Sequence, residues 1–166
     1  MRMTIPTSWV IAALLLARST LAAQETGEIF ERLAGEWHGE GTLMGRAARF
    51  EMGWEPRGGL AVLTFENGFA DPDGQPIPVL QAAAVYRTSR ESPEAVWLDS
   101  RGARIEIRWT ATDSTLVANW SAPREVGRTT YRMISSEEIE VVDEVESDGT
   151  RRPFATARYR RAVALP

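Results

Sequence analysis

The sequence predicts an all-β protein: a single up-and-down antiparallel β-barrel of about ten strands, with a short helix before the first. Three observations lead there. Apolar and polar residues alternate with a period of two over many short runs. Turn-forming residues separate these runs at intervals of about 8–12 residues. No helical pattern intervenes, so consecutive runs read as hairpins, and a meander of this length is expected to close because closure removes its exposed edges.

The N-terminal residues place Arg2 ahead of an apolar stretch from Trp9 to Ala17, and small residues follow as far as Ala23. That is the pattern of a secretory signal, and the stretch is shorter than the roughly 20 residues a membrane-spanning helix needs. Residues 1–23 are therefore read as a signal peptide and 24–166 as one barrel domain. Cleavage there would leave 143 residues with a net charge of −6. Export of a chain without cysteine points to a bacterial periplasm or the exterior, free of a cysteine-borne lipid and with no membrane insertion after cleavage.

Ile29, Phe30 and Leu33 fall at helical spacing and Gly35 stops the pattern, which predicts one short amphipathic helix. Strands are expected near 36–44, 47–55, 59–67, 79–87, 94–99, 103–110, 115–121, 127–134, 137–145 and 153–161. Phe50, Met52 and Trp54 alternate with Arg49, Glu51 and Gly53; Ile105, Ile107 and Trp109 alternate with Arg104, Glu106 and Arg108. Leu116, Ala118 and Trp120 continue the pattern, as do Ile139, Val141 and Val145. Gly58-Gly59, Arg101-Gly102, Asp113-Ser114 and Asp148-Gly149 supply the turns. The segment from Asn67 to Pro78 reads as one long connection.

Composition excludes several chemistries. There is no cysteine, so disulfides, thiolate metal sites and cysteine nucleophiles are out, and His38 is the only imidazole. All 19 basic residues are arginine, which removes lysine Schiff-base and P-loop chemistry. A net acidic chain also argues against nucleic acid as a partner. His38 alternates with Trp37, so if Trp37 faces inward His38 faces out.

Asp99 and Asp143 stand where their strands' patterns otherwise place apolar residues. An inward carboxylate needs a partner, and Arg87, Arg128 and Arg132 are candidates. Trp54, Trp97, Trp109 and Trp120, with Tyr86 and Tyr131, are placed to line an aromatic cavity with the two aspartates; Tyr159 joins them, and small residues at Ala82, Ala84, Thr129, Ala155 and Ala157 leave room. A barrel of about ten strands is wide enough for a cavity.

The segment Leu33 to Leu43, LAGEWHGEGTL, resembles the first strand of calycin-type barrels, the lipocalin, fatty-acid-binding and nitrobindin-like group, through Gly35 and Trp37. The later stretches Arg49 to Pro56, Ala82 to Arg87 and Trp97 to Gly102 are similar to lipocalin-like bacterial families of unknown function. The resemblance implies a floor made by Trp37 with an arginine of the last strand lying across its ring; Arg160 or Arg158 is expected there, ahead of Arg161, because the first two share a strand face. Nitrobindin-like barrels hold haem through a histidine near the C-terminus. Residues 153–166 contain none, so no haem or other cofactor is expected, and no metal. The expected function is binding of a small, largely apolar ligand without catalysis. The alternatives are a small-molecule enzyme with an inward Asp as general base, and a structural or interaction barrel with a filled core.

Overall fold

The computed structural model describes residues 28–70, 75–89 and 91–163. The signal-peptide reading, the sequence 71–74 and the C-terminal three residues lie outside them. A helix, α1, spans residues 28–33. Ten strands follow: β1 (Gly35–Leu43), β2 (Arg46–Arg57), β3 (Leu60–Ala70), β4 (Pro76–Arg87), β5 (Glu94–Asp99), β6 (Arg104–Ala111), β7 (Thr115–Ala122), β8 (Glu125–Met133), β9 (Glu138–Ser147) and β10 (Thr150–Arg161). Each pairs antiparallel with its sequence neighbour, and β1 pairs with β10 to close the ring. The predicted fold class is the observed one.

Alternation explains which side chains enter. On β2, Ala48, Phe50, Met52 and Trp54 are buried while Arg49 and Glu51 are exposed. Antiparallel partners share a face, so burial continues around the ring through Leu63, Ala84, Ile107, Ala118, Tyr131, Val141 and Ala157. The outer face carries cross-strand ion pairs such as Arg108–Glu94 at 3.2 Å and Arg158–Glu138 at 3.1 Å. Exposed pairs of this kind contribute little to stability and keep the surface soluble.

The long connection expected from Asn67 to Pro78 is mostly strand. β3 continues to Ala70 and β4 begins at Pro76, with Gly68 paired to Pro78 beyond a register shift at Asn67/Gly68. Proline lacks the donor a regular ladder needs, and a bulge accommodates it. Gly68 makes the close approach possible: a Cβ there would lie 2.6 Å from the Ile77 carbonyl oxygen.

Helix α1 plugs one end. Ile29, Phe30 and Leu33 are buried, and the Phe30 ring packs against Trp109 edge-on at 5.3 Å, against Tyr86 at 5.8 Å and against Trp54 at 6.0 Å. Trp37 is fully buried beside it and donates its Nε1–H to the Leu33 carbonyl at 2.8 Å. The arginine over Trp37 is Arg161, with its guanidinium carbon 4.1 Å from the ring centroid, and not Arg160. Register is the reason. Trp37 is opposite Arg161 and therefore shares its face, whereas Arg160 is opposite His38 on the outside. Arg161 also donates to the carbonyls of Ala34, Arg32 and Ser136, so one side chain stacks on the floor and satisfies the open carbonyls at the end of α1.

Candidate ligand cavity

Above this plug the barrel is hollow. A cavity of about 350 Å³ lies between the aromatic floor and the opposite rim. Phe65, Trp97, Ile107, Ala118, Trp120, Val141 and Phe154 supply much of its apolar wall, and Tyr86, Tyr131 and Tyr159 supply its aromatic phenols. The described residues thus leave open space where a filled core was one of the alternatives.

Two glycines shape the chamber. Tyr159 lies over Gly39, where a Cβ would sit 2.7 Å from its ring, and Trp120 lies over Gly127, where a Cβ would sit 2.1 Å from its ring. At each pair the missing side chain lets the aromatic plane lie flat on the neighbouring strand. Phe154 reaches the cavity from the irregularity between Pro153 and Ala155 on β10 and meets Trp120 edge-on at 6.5 Å. Bulges re-aim side chains in this way.

Of the residues expected in the site, Tyr86, Trp97, Asp99, Trp120, Tyr131 and Asp143 line the cavity together, as do Tyr159, Thr129 and Ala155. Trp54 and Trp109 do not. Both face inward but lie in the layer in contact with Phe30, and Trp109 is held there by an Nε1–H bond to the Arg87 carbonyl at 3.0 Å. Ala82, Ala84 and Ala157 are likewise absent from the wall. Phe65, Asn67 and Phe154 are wall residues that sequence reasoning did not single out. The alternation Leu63, Phe65, Asn67 places the first two of these on the inward face; nothing in the local pattern announces Phe154.

The two aspartates have different roles. Asp99 ends β5 with its side chain fully removed from solvent. Its Oδ1 accepts the N–H groups of Arg101 at 2.9 Å and Ala103 at 3.1 Å, and its Oδ2 accepts the Arg101 guanidinium at 3.2 Å. Loss of water pushes the carboxyl up, but these donors outweigh it and hold Asp99 below the usual carboxylate range. Such a residue ties a hairpin.

Asp143 sits deep on β9, between Thr129 of β8 and Ala155 of β10. Oδ1 accepts the Thr129 hydroxyl at 2.5 Å. None of the arginines considered as partners reaches it: Arg128 bonds Asn119, Arg132 bonds Glu140, and Arg87 is exposed on the outer face. Part of the residue faces the cavity, but the walls around it are protein. Burial therefore pushes its carboxyl up to about 6, against the pull of the Thr129 hydrogen bond. Burial likewise raises the phenols of Tyr86, Tyr131 and Tyr159, so all three are neutral O–H groups at physiological pH, and a side-chain hydrogen bond joins Tyr86 to Tyr131.

His38 is exposed on the outer face, 3.7 Å from Glu51. Among the described residues no group of three or more His, Asp or Glu side chains is arranged to hold a metal ion. No histidine is among the residues that line the cavity.

A closed ten-stranded antiparallel barrel with an aromatic-lined interior cavity is the class that fold and site define. No protein-family model and no curated protein sequence matches the chain. Solved structures do. The chain is similar to Rv2717c from M. tuberculosis, with a TM-score of 0.63 and 16% identity over 83% of this chain and 98% of that one. It is also similar to the S-type phycobiliprotein lyase CPES from Guillardia theta, with a TM-score of 0.55 and 12% identity over 85% and 94% of the two chains. At these identities the likeness is one of fold.

Proposed function

We propose that the chain is an exported, calycin-like barrel that binds a small, largely apolar molecule in its interior and does not transform it. The observation that carries the ligand-binding part of this reading is the cavity itself. Its volume, about 350 Å³, falls within the range of small-molecule sites, and most of its wall is aromatic and aliphatic, with polar groups set among them. The Gly35 and Trp37 element, with Arg161 stacked on the indole, supports the calycin likeness. Solved barrels of similar fold include a phycobiliprotein lyase. No haem or other cofactor takes part in the proposed function.

The test is native mass spectrometry of the purified full chain, joined to titration with the neutral fluorophore N-phenyl-1-naphthylamine. Trp97 and Trp120 stand in the wall and should transfer excitation to a bound probe. A co-purifying small molecule, or saturable probe binding with such transfer, is the expected result. A folded protein that shows neither overturns the reading.

One observation favours a second reading, an enzyme acting on a small molecule. A carboxyl raised to about 6 and set among neutral phenols is suited to proton transfer near neutral pH. Of the two aspartates in the cavity wall Asp143 is the one suited to that role, because three donors of its own hairpin hold Asp99. Conversion of any co-purifying molecule by the wild-type chain, lost in Asp143→Asn, would establish this reading in place of the first.

A further inference from the structure

The groups that line the cavity are unbalanced in charge. Asp143, Asp99 and Glu125 face a single guanidinium, that of Arg101, which is already bonded to Asp99. Asp143 is left as the buried charge with no cation. β8 offers it Thr129 and Tyr131, β10 offers Ala155 and Tyr159, and β4 offers Tyr86; none of these is positively charged. Only Oδ1 has a donor among the hydrogen bonds of the described residues, the hydroxyl of Thr129. A second acceptor stands across the ring on β3, where Asn67 is 6% exposed and its Oδ1 has no donor.

An apolar chamber with spare acceptors and no spare cation discriminates among ligands by what it leaves unpaired. A hydrocarbon that fills it strips water from the Asp143 carboxylate and returns nothing. A carboxylic acid adds a second negative charge beside the first. A protonated amine supplies both the missing charge and the missing N–H donors, and a charge-assisted hydrogen bond is about twice as strong as a neutral one.

We propose that the cavity selects ligands in which an apolar or aromatic body carries one basic nitrogen, with the protonated amine seated against the Asp143 carboxylate. This rests on the ligand-binding reading above and specifies the ligand's polar end. The Asn67 oxygen takes a further donor where the ligand has one.

The experiment compares three probes of one shape, 1-naphthylmethylamine, 1-ethylnaphthalene and 1-naphthylacetate, on the full chain. Calorimetry and the quenching of tryptophan emission give the affinities. At neutral to mildly alkaline pH the amine should bind about ten- to a hundredfold more tightly than the hydrocarbon, the equivalent of one charge-assisted hydrogen bond. The acid should bind more weakly than the hydrocarbon. In Asp143→Asn the amine's advantage should collapse while the hydrocarbon binds at least as well as before. Asp143→Ala repeats the comparison should the amide variant fail to fold. Equal affinities for amine and hydrocarbon overturn the inference and leave the ligand-binding reading standing, as does an amine preference that survives loss of the carboxylate. Binding of none of the three probes to folded protein overturns both.

Discussion

Replacing Asp143 by asparagine should stabilise the barrel at neutral pH. The substitution keeps shape and the oxygen that accepts the Thr129 hydroxyl, and removes the charge. Burial raises the carboxyl from its ordinary 3.8 to about 6, which corresponds to about 3 kcal/mol of folding free energy lost when the group must ionise inside the barrel. The sign follows from proton counts. Between the two values the folded chain binds more protons than the unfolded chain at this site, so ionisation of Asp143 erodes stability as pH rises through that interval. Below it both states are protonated and the site contributes nothing. Urea unfolding followed by tryptophan emission, on ligand-free wild type and Asp143→Asn from about pH 4.5 to about pH 8, gives the difference curve. Taking the difference cancels carboxylates common to both proteins, Asp99 included. The variant's advantage should be small at the acid end, grow through about pH 6 and level off at up to about 3 kcal/mol, a rise in Tm of several degrees. A difference that does not change with pH, or a variant less stable at the alkaline end, would refute the argument that this carboxylate is buried without a cation.

Arg161→Met should cost about 2–4 kcal/mol by chemical denaturation, because it removes the cation over Trp37 and orphans three carbonyls, whereas Arg160→Met should change stability by less than about 0.5 kcal/mol. Asp99→Ala should lower stability by about 1–3 kcal/mol at neutral pH through loss of the hairpin's hydrogen bonds. Its pH dependence has the opposite sign to that of Asp143: the Asp99 contribution is present above the ordinary carboxylate range and is lost as pH falls through the depressed folded value, so the two proteins should converge in acid. Gly127→Ala should both destabilise the chain by about 2 kcal/mol or more and reduce probe binding, since the new methyl would collide with the Trp120 ring and the Glu144 carbonyl. Unaltered binding in that variant would show that Trp120 is not fixed by its contact with β8.

Much of the barrel is legible because its rules are local. A period of two states which residues enter, and Asp-Gly or Gly-Gly steps state where hairpins turn, so strand positions follow from residues a few places apart. The same rule found Tyr86, Trp97, Trp120, Tyr131 and Asp143. It failed where the outcome depends on height along the barrel axis, a property of ring-wide register. Trp54 and Trp109 have the correct parity but sit low, beneath the cavity and against Phe30, and no single strand's pattern carries that information. Arg160 was misplaced by parity, which only the pairing of β1 with β10 sets, and Phe154 was missed because a bulge breaks alternation.

The contrast between Asp99 and Asp143 shows why register, and not residue type, decides chemistry here. Both interrupt an apolar face, and from sequence either can be a buried pair or a functional acid. Asp99 falls at the last position of its strand, where a turn presents free N–H groups within two to four residues, and the backbone completes its shell. Asp143 falls in mid-strand, and among the hydrogen bonds of the described residues no backbone N–H reaches its carboxylate. A side chain there depends on what the facing strands send into the barrel, and they send one hydroxyl, phenols and an alanine. The sheet's own geometry thus leaves Asp143 as the group in the wall that a ligand can complete.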